Sequence, residues 1–114
     1  MNISIVTGTV SSVPEVRTLP SGDLVTTLSI TADGSLKVSV PLSFTNEASA
    51  AAFAVGDRVI VRGYVQRRFF RTAGATQSRT ELVVSASALV GKRRDVRKLV
   101  AQVERDLGEL AQMS

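Results

Sequence analysis

The residues best suited to chemistry in this 114-residue sequence are arginines that alternate with aromatic residues in its second half. Successive side chains of a strand point to opposite faces, so a strand over residues 58–70 collects cations and rings on one outer face. The members of this set are Arg58, Ile60, Arg62, Tyr64, Gln66, Arg68 and Phe70. Guanidinium groups contact phosphates and aromatic rings stack on unpaired bases, so this face is predicted to bind single-stranded nucleic acid.

The other face of the same strand is apolar and is expected to line the domain interior, through Val59, Val61, Gly63 and Val65. Beyond it, the strand continues into a hairpin arm that we expect to extend past the body of the domain. The arm carries Arg67, Arg68, Phe69, Phe70 and Arg71. Exposed aromatics flanked by arginines indicate a clamp on a nucleic acid strand. The alternatives are a contact between subunits made by the two phenylalanines, and a solvated charge run.

The chain has no cysteine and no histidine, which excludes the usual zinc ligands and every histidine-based catalytic arrangement. Its carboxylates are scattered singly, and its serines and threonines have no evident base. No glycine-rich phosphate loop follows a predicted strand. We therefore expect no enzymatic activity, no metal, no cofactor and no small-molecule substrate.

Charge is distributed unevenly along the chain. The net charge is +4, but residues 58–98 hold eleven Lys or Arg and two acids, so this segment carries +9 and the remainder carries −5. A concentrated basic segment favours a polyanionic partner. The N-terminal residues lack a basic region and a long apolar run, so neither a signal peptide nor a membrane span is expected. The predicted location is the cytoplasm, in association with the nucleoid.

The first ninety residues are predicted to form five strands, at 3–10, 24–31, 36–42, 57–70 and 78–90. A short helix over residues 46–53, capped by Asn46 and ended by Gly56, is expected between the third and fourth strands. The last two strands are joined by a hairpin tip around Ala73-Gly74-Ala75. This order predicts an all-β OB-fold, a five-stranded Greek-key barrel, over residues 1–90. A five-stranded meander is the alternative.

After Gly91 the apolar spacing becomes helical, which predicts a basic amphipathic C-terminal helix over residues 91–114. Its apolar residues step by four and three, as in a coiled-coil seam, with one leucine beside the seam. They are Val96, Leu99, Val100, Val103, Leu107 and Leu110. Two roles are open: the helix packs on the barrel, or it joins copies of the chain into a dimer or tetramer.

Several short motifs occur in an order that resembles bacterial single-stranded DNA-binding proteins. They are Gly8, P-E-V-R at 14–17, P-S-G at 20–22, G-D at 56–57, G-Y-V-Q-R-R-F-F at 63–70 and S-R-T-E-L-V-V at 78–84. The resemblance covers about residues 3–90. It implies an OB barrel that binds single-stranded DNA with little sequence preference, usually as a dimer or tetramer, in DNA replication and repair.

The resemblance also implies roles for individual residues. Phe70 corresponds to a stacking aromatic of the arm, and the arginines around it, with Arg79 on the next strand, correspond to contacts with the DNA backbone. Arg17 corresponds to a basic position near DNA, although an ion pair with Glu15 or Asp23 is an equal alternative. Phe44 matches a position where the family often has a stacking aromatic, yet its alternation with Leu42 favours the core.

Departures from the family pattern reduce what the resemblance implies. The loop between the second and third predicted strands spans only about residues 32–35, and the chain contains no tryptophan. A basic helix stands where the family has a flexible tail with an acidic tip. We therefore expect a lower affinity, a smaller binding site and no recruitment of partners through such a tail. The alternative function is an OB-fold interaction protein that assembles through its C-terminal helix with little DNA binding; RNA is also a possible ligand.

Overall fold

The chain is mostly β, with one C-terminal helix, in the computed structural model, which describes residues 1–113. The strands are β1 (Ser4–Val10), β2 (Glu15–Thr18), β3 (Leu24–Ala32), β4 (Ser39–Thr45), β5 (Arg58–Thr72) and β6 (Ala75–Leu89). A 3₁₀ helix (Ala48–Ala52) lies between β4 and β5, and α1 (Arg93–Gln112) follows β6. No helix within residues 1–113 is long and apolar enough to cross a membrane.

The six strands form one sheet in the order β1-β5-β6-β4-β3-β2. β1 also pairs with β3, where Val10 lies opposite Ile30, so the pairings return to their start and the sheet is ring-like. Every pairing is antiparallel except that of β4 with β6, where Leu42 lies opposite Leu82. Closure pairs the edges of the ring and leaves β2 as an edge strand.

The core fills the inside of this ring with side chains that alternate along the strands. Its fully buried members are Val10, Leu28, Ile30, Leu42, Phe44, Ala50, Val59, Val61 and Leu82. Ala50, in the 3₁₀ helix, belongs to this cluster, and Phe53 packs against it from the C-terminal side of that helix with its ring centroid 6.0 Å from that of Phe44. Burial of this apolar surface is the main source of stability for the ring.

The strand order, the hairpin tip and the C-terminal helix agree with the prediction. Ala73 and Gly74 both have positive φ and connect β5 to β6 directly, as in a two-residue hairpin turn. β2 was missed, because it has four exposed residues between two prolines and no buried face to produce an apolar alternation. It pairs with β3 from Glu15 opposite Thr27 to Thr18 opposite Leu24.

The predicted third strand starts too early. β4 begins at Ser39, while Leu36 and Val38 are exposed in the connection that precedes it. The Ala32 N–H donates to the Val38 carbonyl at 2.8 Å, which closes this connection into a turn. The alternation of Leu36 and Val38 is therefore not matched by any core contact, whereas Leu42 is buried as predicted.

Asn46 does not cap a helix. The residue has φ 53°, a left-handed conformation that asparagine tolerates, and Glu47 occupies the N-cap position of a 3₁₀ helix rather than an α-helix. The Asn46 side chain instead accepts a hydrogen bond from the Leu24 N–H at 2.8 Å and donates to the Asp23 carboxylate at 3.0 Å. Asn46 thus ties the end of β4 to the start of β3.

The alternation predicted for β5 fails at Val65, which is 46% exposed rather than interior. A bulge interrupts the pairing here: Arg62 lies opposite Ala86 while Gly63 lies opposite Val84, so Ser85 is the extra residue. A Cβ on Gly63 would be 1.9 Å from the Val83 carbonyl oxygen. Beyond Gly63, β5 no longer pairs with β1, whereas β6 still pairs with β4 at Leu82 and Val83, so the hairpin leaves the ring past these residues.

α1 packs on the outside of β6 and β5. Leu99 and Val103 are buried at this contact, which confirms that the helix packs on the sheet. The remaining seam residues are not all covered, since Val100, Leu107 and Leu110 are exposed. The last two turns of the helix therefore present an apolar surface that residues 1–113 of the same chain do not bury.

Candidate nucleic-acid interface

The arm is the part of the β5–β6 hairpin beyond the Val65–Leu82 pair, and its pairing register shows which side chains share a face. Directly opposed residues of an antiparallel pair project from the same side. One face therefore holds the pairs Gln66–Glu81, Arg68–Arg79 and Phe70–Gln77. The other face holds the pairs Arg67–Thr80, Phe69–Ser78 and Arg71–Thr76. The residues predicted to form one clamp are thus divided between two surfaces.

The first of these faces lies against β2 and β3 and forms a groove of about 390 Å³. We call it the arm groove. It is lined by Glu15, Arg17, Thr27, Arg68, Phe70, Arg79 and Glu81. The groove brings together three arginines from three strands and one ring that is 41% exposed. This is a set of groups that contacts phosphates and stacks on a base.

β2 supplies Arg17 to the arm groove. Pairing of Arg17 opposite Val25 and of Glu15 opposite Thr27 places both β2 side chains on the side that faces the arm. Among residues 1–113 no ion pair joins Arg17 to Glu15 or Asp23, so the salt-bridge alternative for Arg17 is wrong. Asp23 instead accepts hydrogen bonds from Ser21 and Asn46.

Glu81 is a buried carboxylate at the base of the arm groove, only 6% exposed. The Arg68 Nε lies 3.3 Å from its Oε1, which makes an ion pair, but the angle is too poor for a hydrogen bond and leaves this buried oxygen unsatisfied. Burial of an ionised carboxylate is unfavourable unless a cation pairs with it. The ion pair with Glu81 therefore restrains the position of the Arg68 side chain. The groove as a whole has three cations against two carboxylates and stays positive.

Tyr64 extends the same outer face toward the ring. It lies opposite Val83 and its ring is about as exposed as that of Phe70. Tyr64 and Phe70 are six residues apart on the same alternation of β5, separated by Gln66 and Arg68. Two exposed rings therefore flank an arginine on one surface, as predicted.

Arg62 is engaged elsewhere. Its side chain is 20% exposed, its guanidinium forms an ion pair and hydrogen bond with Asp106 of α1, and its Nη1 donates to the Ser85 Oγ at 2.6 Å. The hydrogen bond from Arg62 holds the pKa of Asp106 below its ordinary value, opposed by desolvation and aided by Gln102. Arg62 therefore lies under α1 and does not line the arm groove.

Arg58, at the start of the same predicted face, is likewise paired, in this case with Asp33. Both partners are largely exposed. The outer face of β5 thus begins with two ion-paired arginines that do not line the arm groove, whose β5 residues are Arg68 and Phe70. The sequence pattern could not show this, because Asp33 and Asp106 are distant in the chain.

The second face of the arm carries Arg67, Phe69 and Arg71. All three are exposed, Phe69 at 67%, and no side chain of another strand is opposed to them apart from the small residues of β6. Phe69 and Phe70 consequently cannot stack in the same groove. The Phe69 ring is exposed on the face of the arm opposite to the arm groove.

Phe44 is 2% exposed and belongs to the core cluster, so the core interpretation is confirmed and a stacking role for Phe44 is wrong. Conversely, sequence reasoning did not assign Glu15, Thr27 or Glu81 to the site. The only available signal was the acidic position inside the S-R-T-E-L-V-V segment, which places a carboxylate on the same alternation as Arg79.

Neither a scan against protein-family models nor a search of curated proteins finds a match to this chain. Within residues 1–113 no cluster of acidic side chains could hold a metal ion. The case for a function therefore rests on the geometry of the arm groove and on the motifs of the sequence.

Proposed function

We propose that this chain is an OB-fold protein of the bacterial single-stranded DNA-binding type, which binds single strands with little sequence preference. The observation that carries the proposal is the arm groove, where Arg17, Arg68 and Arg79 surround the exposed ring of Phe70. Phosphates would contact the arginines while a base stacks on the ring. Every base has a π-face and every nucleotide has a phosphate, so such contacts tolerate any sequence.

The order of the elements supports the OB-fold part of this proposal. A short helix lies between β4 and β5, β1 pairs with both β3 and β5, and β4 runs parallel to β6. OB-folds bind oligonucleotides on an outer sheet face and on the loops beside it. The arm groove lies on the outer face of β2, β3 and the arm, which agrees with that mode.

The proposed affinity is modest. Glu15 and Glu81 offset part of the positive charge in the groove, and only Tyr64 and Phe70 present rings on this face. A single strand would therefore be held by a few stacking contacts and a small number of phosphates. Single-stranded DNA, the proposed ligand, arises during replication and repair.

The test is fluorescence anisotropy with labelled oligo-dT, oligo-dA and duplex of equal length, titrated at several salt concentrations. We expect both single strands to bind more tightly than duplex, with affinity that falls as salt rises because phosphate contacts release counterions. A matching oligo-U shows whether RNA is bound equally. Negligible binding of all ligands at low salt contradicts the proposal. Duplex that binds as tightly as the single strands also contradicts it, because binding would then depend on charge alone.

The second candidate function is an interaction protein that assembles through α1. The exposed apolar residues Val100, Leu107 and Leu110 favour it, since a second copy of the helix would cover them. The two candidates are compatible if assembly leaves the arm groove open. Substitutions in the arm groove and on the helix distinguish the two candidate functions, according to which set abolishes the measured activity.

A further inference from the structure

A second basic cleft lies outside the arm groove, between α1 and the outer face of β5 and β6. We propose that it binds phosphates of the same single strand that occupies the arm groove, so that α1 is a second contact for nucleic acid. The cleft has a volume of about 640 Å³ and is lined by the cations Arg62, Lys98 and Arg105. This inference rests on the proposed function and adds a site to it.

The cations converge because of where their elements meet. Lys98 and Arg105 are seven residues apart, which places them on one side of α1, and Arg62 comes from β5 below. Ser85 and Ser87 of β6 also line the cleft; the Ser85 hydroxyl already donates to the Arg62 carbonyl oxygen at 3.1 Å, so Ser87 is the serine that adds a hydrogen-bond donor. Cations on both the helix wall and the sheet wall, with a hydroxyl beside them, are a suitable environment for a phosphodiester oxygen.

Arg62 has hydrogen-bonding capacity that the protein does not use. Its two terminal nitrogens donate to Ser85 and Asp106, but its Nε is buried and has no acceptor among residues 1–113. A buried donor without a partner is unfavourable. Arg62 lines the cleft, so its charge attracts an anion there, whereas the buried Nε itself is not exposed to one.

The acidic groups near the cleft do not cancel its charge. Asp95 lines the cleft and Asp106 is paired with Arg62. Arg105 donates to the neutral amide oxygen of Gln102 at 2.8 Å, and no ion pair involves Lys98 or Arg105 among the described residues. Three cations against two carboxylates leave a positive balance, with Lys98 and Arg105 exposed to an incoming ligand.

The position of the cleft along β5 determines which ligands can use it. Arg62 and Arg68 are six residues apart on one alternation, which is about 20 Å at the rise of a strand. OB-folds occupy from about 4 to about 16 nucleotides. A short oligonucleotide would therefore fill the arm groove alone, whereas a long one would pass Tyr64 and reach the cleft.

The experiment compares two double variants of the full chain on oligo-dT of about 6 and about 16 nucleotides. Lys98→Ala with Arg105→Ala removes the two cleft cations that α1 supplies. Arg93→Ala with Arg97→Ala is the control, because it removes the same charge from exposed positions of α1 that do not line the cleft. Far-UV circular dichroism and urea unfolding verify that both variants fold.

For the long oligonucleotide, we expect the cleft variant to reduce the slope of log K against log salt by about 1.4, or about 0.7 for each lost phosphate contact. We expect no change for the short one, and a smaller change in the control. An equal loss in the control, an equal loss on the short oligonucleotide, or no loss at all overturns the cleft proposal while leaving the arm groove intact. If the unmodified chain binds neither oligonucleotide at low salt, the proposed function itself fails.

Discussion

At the scale of single residues, the neighbours Phe69 and Phe70 differ more than their identical side chains suggest. They lie on opposite faces of the arm because successive strand residues point in opposite directions. Phe70 shares its face with Arg68 and Arg79, while Phe69 shares its face with Arg67 and Arg71. Phe69 is therefore a matched control for substitutions of Phe70, since the two side chains are identical and differ only in their surroundings.

We expect Phe70→Ala to weaken binding of oligo-dT by about 5- to 150-fold, the loss that corresponds to one stacked base at about 1–3 kcal/mol. Phe69→Ala should have a much smaller effect on a short oligonucleotide, because its ring lies outside the arm groove. Fluorescence anisotropy measures both. Equal losses in the two variants would show that the arm binds without regard to face.

Gly63 is the second residue whose environment matters. Gly63→Ala should lower the free energy of unfolding by about 1–3 kcal/mol, because the added Cβ would collide with the Val83 carbonyl. Gly108→Ala is the matched control: it lies in α1 with open space around it and should raise stability by up to about 1 kcal/mol. Urea unfolding gives both values, and a neutral Gly63→Ala would contradict the close approach.

At the scale of elements, α1 is held on the sheet by both apolar and ionic contacts. Leu99 and Val103 are buried against β6 and β5, and the Arg62–Asp106 pair joins β5 to the fourth turn of the helix. The same pair removes Arg62 from the free part of the outer face. Docking of this helix thus places Arg62 in the cleft beneath α1 and not in the arm groove.

The ionic contact makes this docking sensitive to acid. The pKa of Asp106 is lowered from its ordinary value of 3.8, chiefly by the hydrogen bond from Arg62. The stabilisation from this ion pair is therefore complete at pH values above the pKa that Asp106 has in the unfolded chain. It is lost as pH falls below about 4 and passes through the lower pKa of the folded protein. Asp106→Asn should reduce the difference in thermal stability between pH 7 and pH 3, with Glu104→Gln, an exposed acid on the same helix, as the control. An unchanged difference in Asp106→Asn would rule out this contribution.

At the scale of the whole molecule, the apolar surface of α1 and the arm groove belong to different regions. The groove is built from β2, β3 and the arm, while Leu107 and Leu110 lie near the C-terminal end of the helix. Assembly through the helix would leave the groove accessible. An oligomer could then present several grooves to one strand and bind with the avidity of linked sites.

If copies associate through α1, Leu107→Lys with Leu110→Lys should convert the oligomer to monomers without unfolding the ring, because neither side chain belongs to the core. Light scattering measures the mass. Leu36→Lys with Val38→Lys is the control, since it places the same two charges at exposed apolar residues in the turn before β4. A monomeric unmodified chain, or an oligomer unaffected by the helix variant, contradicts assembly through this surface.

Much of the fold follows from local patterns in the sequence. Alternation of Val59 and Val61, the tip at Ala73-Gly74 and the helical spacing after Gly91 predict strands, a hairpin and a helix in the correct order. The same alternation correctly places Phe70 and Tyr64 on one outer face. These features depend on the periods of strand and helix, which neighbouring residues determine.

The tertiary structure determines which residues contact each face of the strands and of the helix. Arg17 joins Arg68 and Arg79 only because β2 pairs with β3 beside the arm, and Arg62 is withdrawn only because Asp106 packs over it. Val65 is exposed because β5 has no further pairing with β1 beyond Gly63, at the point where the hairpin approaches the end of the ring. By itself the sequence determined most of the elements and their two-sided character, but not β2, which has no buried face. Which side is covered, paired or open depends on contacts between residues far apart in the chain, and those are made only when the sheet closes and α1 docks on it.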